Sequence, residues 1–329
     1  MKRPLSLWFA ALTVLAVMLF VIDLCVGSVL LPLSDLWSTS DDIYSAANHN
    51  VMLHLRLPKA LTALIAGMAL SVTGLIMQTL FRNPLAGPYI LGVSSGATLG
   101  VALLTFCSTL FSMPLSGASW GVVIAAIIGS TIVLLLVMLI ARHIRDTVSL
   151  LIIGMMIGSV AGALVNVMQN YSNPDALKLF IVWTLGSLSS VTWSQMSVMA
   201  PLFVVGMTLS LLLGKPLNGM LLGDSYARGL GINLSRLRFA IVAVTGLLAG
   251  CITAFCGPIA FIGVAVPHLA RGLMRTSDHH ITIPASALIG ANLLLICDII
   301  SSSFTYPLPI STVSALFGAP IVIWIILKK

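Results

Sequence analysis

The sequence predicts an all-α membrane protein, a polytopic bundle of about ten transmembrane helices that forms a single domain over residues 1–329. Composition is the first observation: 59% of residues are hydrophobic and only 8% are charged, with a mean hydropathy of +1.11. Soluble domains carry about 25% charged residues, so a soluble fold is excluded. The second observation is that apolar stretches of about 20 residues, the length that crosses a bilayer, recur along the whole chain.

The spans follow from these apolar stretches. We take the first as a retained helix because its apolar run exceeds the roughly 7–15 residues of a signal-peptide core and no small-residue cleavage site follows. The eighth and tenth are short or flanked by proline and are expected to be broken or tilted. The ten predicted spans are residues 5–31, 57–80, 89–111, 120–141, 147–168, 193–213, 238–256, 259–274, 283–302 and 309–327.

The basic residues predict the orientation, because cytoplasmic loops are enriched in Lys and Arg. With both termini cytoplasmic, thirteen of the sixteen Lys and Arg residues lie on the cytoplasmic side, and Arg56, Lys59 and Lys178 lie outside. The thirteen are Lys2, Arg3, Arg82, Arg142, Arg145, Lys215, Arg228, Arg236, Arg238, Arg271, Arg275, Lys328 and Lys329. The outer loops carry Asp35, Asp41, Asp42 and Asp175.

Several function classes are excluded or weakened by missing patterns. The net charge of +7 resides in short loops, so topology explains it better than nucleic-acid binding. The five cysteines show no CxxC spacing, and we predict neither a metal site nor a disulfide framework. No G-x-x-x-x-G-K-[ST] loop, HExxH motif or paired-carboxylate arrangement occurs, so we predict no catalytic residues, no bound nucleotide and no cofactor on this chain.

Four ionisable residues near or within the spans receive individual predictions. Asp23 and Asp298 are expected to face water or accept hydrogen bonds, since an isolated charge in the bilayer is costly; a proton relay is the alternative, without a Lys or His partner nearby in sequence. His268 is expected to be structural. His279, with its neighbour His280, is expected in a solvated loop.

Small residues recur four apart on several spans, a spacing that lets helix backbones approach closely. The stripes are Gly92, Gly96 and Gly100; Gly154, Gly158 and Gly162; Ala63, Gly67 and Ser71; and Gly246 with Gly250. The segment GPYILGV at 87–93 also resembles GPIAFIGV at 257–264. An inverted repeat of the kind common in transporters would produce this similarity, and so would chance.

The longest polar stretch is KPLNGMLLGDSYARGLGINLSRLR at 215–238. Asp224 is a possible N-cap or first-turn acid, and Gly229 and Gly231 can end a helix in a left-handed conformation. The pattern predicts two short helices. By itself it allows either a connecting loop or a hairpin that receives force from another protein.

Several stretches together resemble one family, the permease subunits of ABC importers for iron-siderophores, haem and cobalamin. The resemblance covers nearly the whole chain in order, and RNPLAGPYILGVSSGA and PHLAR are its specific signals. The stretches are LRLPK at 55–59, QTLFRNPLAGPYILGVSSG at 78–96, WTLGSL at 183–188, the loop at 217–231, GPIAFIGVAVPHLAR at 257–271, LP at 308–309 and GAP at 318–320.

This resemblance implies a permease in the bacterial inner membrane that pairs with a second copy or a close paralogue. Two cytoplasmic ATPase subunits, which hold the ATP and Mg²⁺, and a periplasmic substrate-binding protein complete the assembly. The loop at about 214–238 matches the coupling helices that contact the ATPase. Its matching positions are Leu217, Gly223, Asp224, Ala227, Arg228, Gly229 and Gly231.

The family also implies roles at the outer face and along the path. Arg56 and Lys59 stand where basic residues pair with acidic residues of the binding protein, although interfacial snorkelling would explain them too. Candidates for the path and its gates are Asn83, Pro84, Gly92, Ser94, Ser95, Gly96, Trp183, Ser187, Gly257, Pro258 and Pro267. The chain departs from the pattern where Ser302 replaces an expected Arg and where PLPIS at 307–311 replaces Glu-Leu-Pro-x-Gly.

The function expected from the resemblance is ATP-driven import of an iron-siderophore, with haem or cobalamin as the next choices and molybdate as a weaker one. The competing hypothesis is a transporter driven by an ion gradient, for which Asp23, Asp298 and the possible inverted repeat would be the supporting features. An intramembrane enzyme would need a convergent catalytic set, which the sequence lacks.

Overall fold

The computed structural model describes residues 5–37, 43–110, 118–141 and 147–327, and these ranges are almost entirely helical, without a β-strand. Of the residues used to predict orientation, Lys2, Arg3, Asp41, Asp42, Arg142, Arg145, Lys328 and Lys329 lie outside the described ranges. The helices are α1 (Leu5–Cys25), α2 (Ile43–Val51), α3 (Leu57–Phe81), α4 (Val93–Leu110), α5 (Ala118–Ala141), α6 (Thr147–Asn170), α7 (Pro174–Thr184), α8 (Trp193–Leu212), α9 (Gly214–Leu221), α10 (Asp224–Gly229), α11 (Leu234–Cys256), α12 (Ile262–Met274), α13 (His279–Ser302) and α14 (Ile310–Leu327).

The prediction of a polytopic helical membrane protein is confirmed. Seven helices of the described ranges are long and apolar enough to cross a bilayer. Shorter apolar helices, Val93–Phe106, Ile262–Met274 and Ile310–Ile323, correspond to the predicted third, eighth and tenth spans. The third span begins later than predicted because residues 83–92 form turns, and α2 and α7 are helices that apolar periodicity did not indicate.

Helix α3 forms the centre of the bundle. It is buried along almost its whole length and packs against α1, α8, α11, α12 and α13. A π-helical turn at Met52–Arg56 joins it to α2, so that one continuous helix runs over Ser45–Phe81. By contrast, α5, α6 and α8 carry rows of exposed apolar side chains, as expected for helices that face lipid.

The two ends of α3 define the two faces of the bundle. Its C-terminal end, capped by Arg82 in a left-handed conformation, reaches α9 and α10, and we call this end of the bundle the hairpin face. Its N-terminal end carries Arg56 and Lys59, and we call that end the opposite face.

Close backbone contacts explain several of the predicted small-residue stripes. Gly67 of α3 lies against the backbone of Gly290 in α13, and Ser71 reaches the same glycine. Gly100 of α4 packs against Ala125 and Gly129 of α5. Such contacts require glycine or another small residue because a larger side chain would separate the helices.

The two similar segments meet each other at the middle of α3. Gly263 lies between Leu70 of α3 and Pro88, and Gly87 faces Val264. The first segment is irregular up to Val93, where α4 begins, and the second up to Ile262, where α12 begins. The contact brings the two similar segments together, and the inverted repeat itself stays a prediction.

Gly74→Ala tests this central contact. An added Cβ would overlap the Gly263 backbone, which has no flexible end to move away, so we expect the free energy of unfolding to fall by about 1–3 kcal/mol. Thermal unfolding of the purified protein in detergent measures the loss. Gly272→Ala in α12 is the control, since nothing lies within 4 Å of its Cβ position. Equal stability of the two variants would contradict the close approach.

Candidate functional site

The polar stretch forms a helical hairpin made of α9 and α10, so the prediction of two short helices is confirmed. Gly223 ends the turn between them with φ +108°, and Asp224 is the first residue of α10. Helix α10 ends at Gly229, which does not adopt the left-handed conformation predicted for it, and Gly231 follows with φ +80°. Positive φ values of this kind are accessible to glycine at little cost, so these glycines set the shape of the hairpin.

One side of the hairpin is fixed to the bundle. Leu217 and Ala227 are fully buried. The Asp224 carboxylate bridges Arg82, which caps α3, and Arg238 in α11, with a distance of 2.9 Å from Arg238 Nη2 to Asp224 Oδ2. The hairpin is therefore held to two of the long helices by one carboxylate.

The other side of the hairpin is exposed and apolar. Leu222, Tyr226 and Leu230 are 63%, 54% and 58% exposed. They line a groove of about 460 Å³ together with Lys215, Pro216, Asn218, Gly219 and Ile232. Among the predicted coupling residues, Arg228, Gly229 and Gly231 are exposed, whereas Leu217 and Ala227 face inward. Sequence reasoning missed Leu222, Tyr226 and Leu230: Tyr226 lies in α10, and the other two lie just before and just after it.

His279 and His268 are both held within the structure. The prediction of a solvated loop at His279 is wrong: it is the first residue of α13 and only 1% exposed, because Asn218 and Thr79 enclose its ring. His280 beside it is exposed. His268 lies 2.8 Å from the carbonyl oxygen of Pro84, to which its Nε2–H donates. The carbonyl partner agrees with the structural role predicted for His268.

At the opposite face, Lys59 is enclosed by acidic and hydroxyl groups. Its Nζ lies 2.7 Å from Ser302 Oγ, 3.1 Å from Asp298 Oδ2 and 3.6 Å from Asp23 Oδ1. Asp23 is fully buried and Asp298 is 3% exposed. No cation lies near these two acids in the sequence, because Lys59 belongs to α3, whereas Asp23 is in α1 and Asp298 is in α13.

Arg56 is held in a similar way. Its guanidinium donates to the carbonyl oxygens of Leu24 at 3.0 Å and Cys25 at 2.7 Å, and also to that of Val29. The bonds to Leu24 and Cys25 satisfy carbonyl groups at the end of α1 that have no partner within the helix. Arg56 and Lys59 are 8% and 7% exposed, so their head groups are engaged within the bundle and docking by them stays a prediction.

A polar cavity lies between α4, α6 and α7. Its volume is about 310 Å³, and no charged side chain lines it. The Asn166 and Gln169 amides have no hydrogen-bond partner within the described ranges, and an unpaired amide in hydrocarbon is costly. This part of α6 therefore faces water or protein rather than lipid. The lining residues are Ser94, Ser95, Thr98, Gly162, Val165, Asn166, Gln169, Phe180 and Thr184.

The structure separates the remaining path candidates into groups. Ser94 and Ser95 line the cavity, whereas Gly92 and Gly96 pack against neighbouring helices.

A second group brings residues 183–187 onto the segment after α11: Ser187 N donates to the Cys256 carbonyl at 2.8 Å, and Gly257 and Pro258 adjoin Trp183 and Gly186. Asn83 caps a turn by accepting from Leu85 N, Pro84 binds His268, and Pro267 is buried inside α12.

An anchored hairpin at one face and a polar cavity among apolar helices are features typical of a membrane transport protein. The chain belongs to the FecCD transport family, whose family model matches residues 14–328. It is accordingly a permease subunit of that family.

Individual relatives extend over nearly the whole chain. The hemin transport system permease protein HmuU of Yersinia pestis is 36% identical over 97% of this chain and 94% of its own length. The vitamin B12 import system permease protein BtuC of Escherichia coli O6:K15:H31 is 34% identical over 98% of this chain and 95% of its own. A solved metal-chelate-type ABC transporter in an inward-facing conformation superposes with a TM-score of 0.87, at 30% identity, over 98% of this chain and 100% of that one.

Proposed function

We propose that this permease imports a metal chelate with energy from ATP hydrolysed on separate subunits. The observation that carries the proposal is the hairpin, which is anchored to the long helices on one side and presents Leu222, Tyr226 and Leu230 on the other. A rigid hairpin with an exposed apolar face is suited to receive movement from a partner. In this proposal the hairpin face is cytoplasmic, both termini are cytoplasmic, and the membrane is the bacterial inner membrane.

The partners follow from the family. The permease pairs with a second copy or a close paralogue, two ATPase subunits bearing ATP and Mg²⁺ bind the hairpin face, and a periplasmic binding protein binds the opposite face. For Arg56 and Lys59 to dock the binding protein, their head groups would have to leave their present carbonyl and carboxylate partners. Docking by these two residues therefore requires a rearrangement at the opposite face.

The path would run beside the polar cavity and past the gate formed by residues 183–187 and 256–258. Closure of the ATPase dimer would move the hairpins and rearrange the helices to release cargo inward. A cavity lined by hydroxyl and amide groups suits the hydrogen-bonding periphery of an organic chelate. It offers no cation to an oxyanion such as molybdate. An iron-siderophore is our first choice, followed by haem and then cobalamin.

Reconstitution tests the proposal. The permease, its ATPase subunits and its binding protein are placed in proteoliposomes, and uptake of labelled ferric siderophore, haem and cobalamin is measured with and without ATP. We expect uptake of one of them that requires ATP and all components. Uptake by the permease alone under an ion gradient would overturn the proposal in favour of a secondary transporter.

The cavity residues provide a second test. Replacing both Asn166 and Gln169 by Leu removes two amides that would bind cargo or water, and we expect the initial rate of uptake to fall about tenfold, equivalent to ~1.4 kcal/mol. Thr208→Val in α8 is the control, since its hydroxyl bonds only the Val204 carbonyl of its own helix. An unchanged rate in the double variant would remove the cavity from the path.

A further inference from the structure

A second polar link fixes the hairpin to the bundle, and it lies deeper than the Asp224 link. Asn218 of α9 accepts at Oδ1 from His279 N at 2.8 Å, and the same oxygen lies 2.7 Å from His279 Nδ1. Its Nδ2 donates to Asp278 Oδ1 at 2.6 Å. His279 Nε2 lies 2.8 Å from Thr79 Oγ1 of α3. These hydrogen bonds thus connect side chains of α9, α13 and α3 in one series.

The protons in this series can be assigned from its partners. A carboxylate cannot donate, so the Asn218 amide nitrogen faces Asp278 and its oxygen faces His279. His279 Nδ1 must then carry a proton, and in the neutral ring Nε2 accepts from the Thr79 hydroxyl, whose single proton is shared with the Leu75 carbonyl at 3.0 Å. Hydrogen bonds from Asn218 and from the His280 backbone lower the pKa of Asp278, which keeps this carboxylate an acceptor. Each donor in the series therefore meets an acceptor.

Helices α3 and α13, which carry Thr79 and His279, are also joined to each other at other points along their length. Gly67 and Gly290 bring α3 and α13 into backbone contact at mid-height, and Lys59 with Asp298 joins them at the opposite face. Thr79 and His279 provide the third junction at the hairpin face. Helices fixed at three levels cannot slide past each other without breaking one of these contacts, so α3 and α13 form one rigid pair.

We propose that Asn218, His279 and Thr79 are the positioning residues that transmit movement of the hairpin to the α3–α13 pair. The proposal rests on the proposed function, because it assumes that an ATPase moves the hairpin. Hydrogen bonds fix direction as well as distance, whereas apolar contacts such as that of Leu217 allow sliding. The His279 ring is buried, so its bonds are not weakened by competition with water or by salt, unlike the partly exposed Arg82–Asp224 ion pair.

The experiment compares three substitutions in α3. Thr79→Val keeps the shape of the side chain and removes the donor to His279; Thr79→Ser keeps the hydroxyl. Thr73→Val is the matched control, because the Thr73 hydroxyl is equally buried and bonds only the Ala69 and Leu70 carbonyls of its own helix. Each permease is reconstituted with its ATPase subunits and binding protein. Cargo uptake and ATP hydrolysis are measured on equal amounts of assembled complex.

We expect Thr79→Val to lower the amount of cargo taken up per ATP about fivefold or more, at the lower end of typical coupling between sites, with ATP hydrolysis maintained. Thr79→Ser and Thr73→Val are expected to stay near the wild-type ratio. A merely structural role of Thr79 would lower the amount of assembled complex and leave the ratio unchanged.

Asn218→Ala tests the hairpin end of this series of hydrogen bonds. We expect it to lower the amount of cargo taken up per ATP by the same factor. Wild-type ratios in both Thr79→Val and Asn218→Ala would overturn the inference while leaving the proposed function intact. Failure of the wild-type complex to couple uptake to ATP would instead overturn the proposed function. If Asn218→Ala does not assemble, the comparison of Thr79→Val with Thr79→Ser still decides the inference.

Discussion

Replacing Lys59 by Met is expected to destabilise the protein by about 3–5 kcal/mol, the usual cost of removing one partner from a buried ion pair. Asp23 and Asp298 are almost completely buried, and the ammonium group of Lys59 lies within 4 Å of both carboxylates. Without it, Asp298 would lose its ion pair, and two buried carboxyl groups would remain next to each other without a cation between them. Thermal unfolding of the purified permease in detergent measures the loss.

A paired substitution separates the charge effect from a packing effect. Arg56 is bonded to the end of α1, the helix that carries Asp23, so this region holds two basic and two acidic side chains. Lys59→Met combined with Asp298→Asn removes one of each and keeps the balance. We expect the double variant to recover at least half of the stability that Lys59→Met loses, because the effects of two residues in contact are not additive. The control is Lys178→Met, at an exposed position in α7. If Lys59→Met unfolds at the wild-type temperature, the cluster does not stabilise the bundle.

Replacing Tyr226 and Leu222 by Ala is expected to weaken binding of the ATPase subunits by at least about thirtyfold. Exposed tyrosines at the centre of an interface commonly contribute about 2 kcal/mol or more, and each ~1.4 kcal/mol corresponds to a factor of ten. Both side chains project from the anchored hairpin and line its groove. Affinity is measured by titrating purified ATPase subunits against the permease in lipid nanodiscs.

Tyr306→Ala provides the matched control for this prediction. Tyr306 is 86% exposed and follows α13 at the opposite face, so an exposed aromatic side chain is lost away from the hairpin. We expect its affinity for the ATPase to equal that of the wild type. Equal affinities for the hairpin variant and Tyr306→Ala would show that the ATPase binds elsewhere.

The sequence predicted the hairpin well because its signals are local. The two short helices, the first-turn position of Asp224 and the left-handed Gly231 after α10 all depend on residues within a few positions of each other. What the sequence could not predict is which hairpin residues face the bundle. Leu217 and Ala227 are buried by packing against other helices, and this left Leu222, Tyr226 and Leu230 as the exposed surface.

The acidic residues at the opposite face were harder to predict for the same reason. Asp23 and Asp298 had no cation near them in the sequence, and Lys59 was expected to face outward. The fold brings the three together because α1 and α13 both pack on α3. Ser302, where the sequence analysis expected an Arg, accepts a hydrogen bond from Lys59 instead of adding a charge.

By itself, the sequence determined that the chain is a helical membrane protein, where most of its spans lie, and which family it resembles. These properties depend on hydropathy, on helix-ending residues and on motifs, all of which act over short stretches. Only the tertiary structure decided which polar groups pair: Lys59 with Asp298, Asp224 with Arg82, and His279 with Thr79 and Asn218. The physical reason is that a buried polar group must find its partner wherever the packing of helices places one, and that partner can be hundreds of residues away.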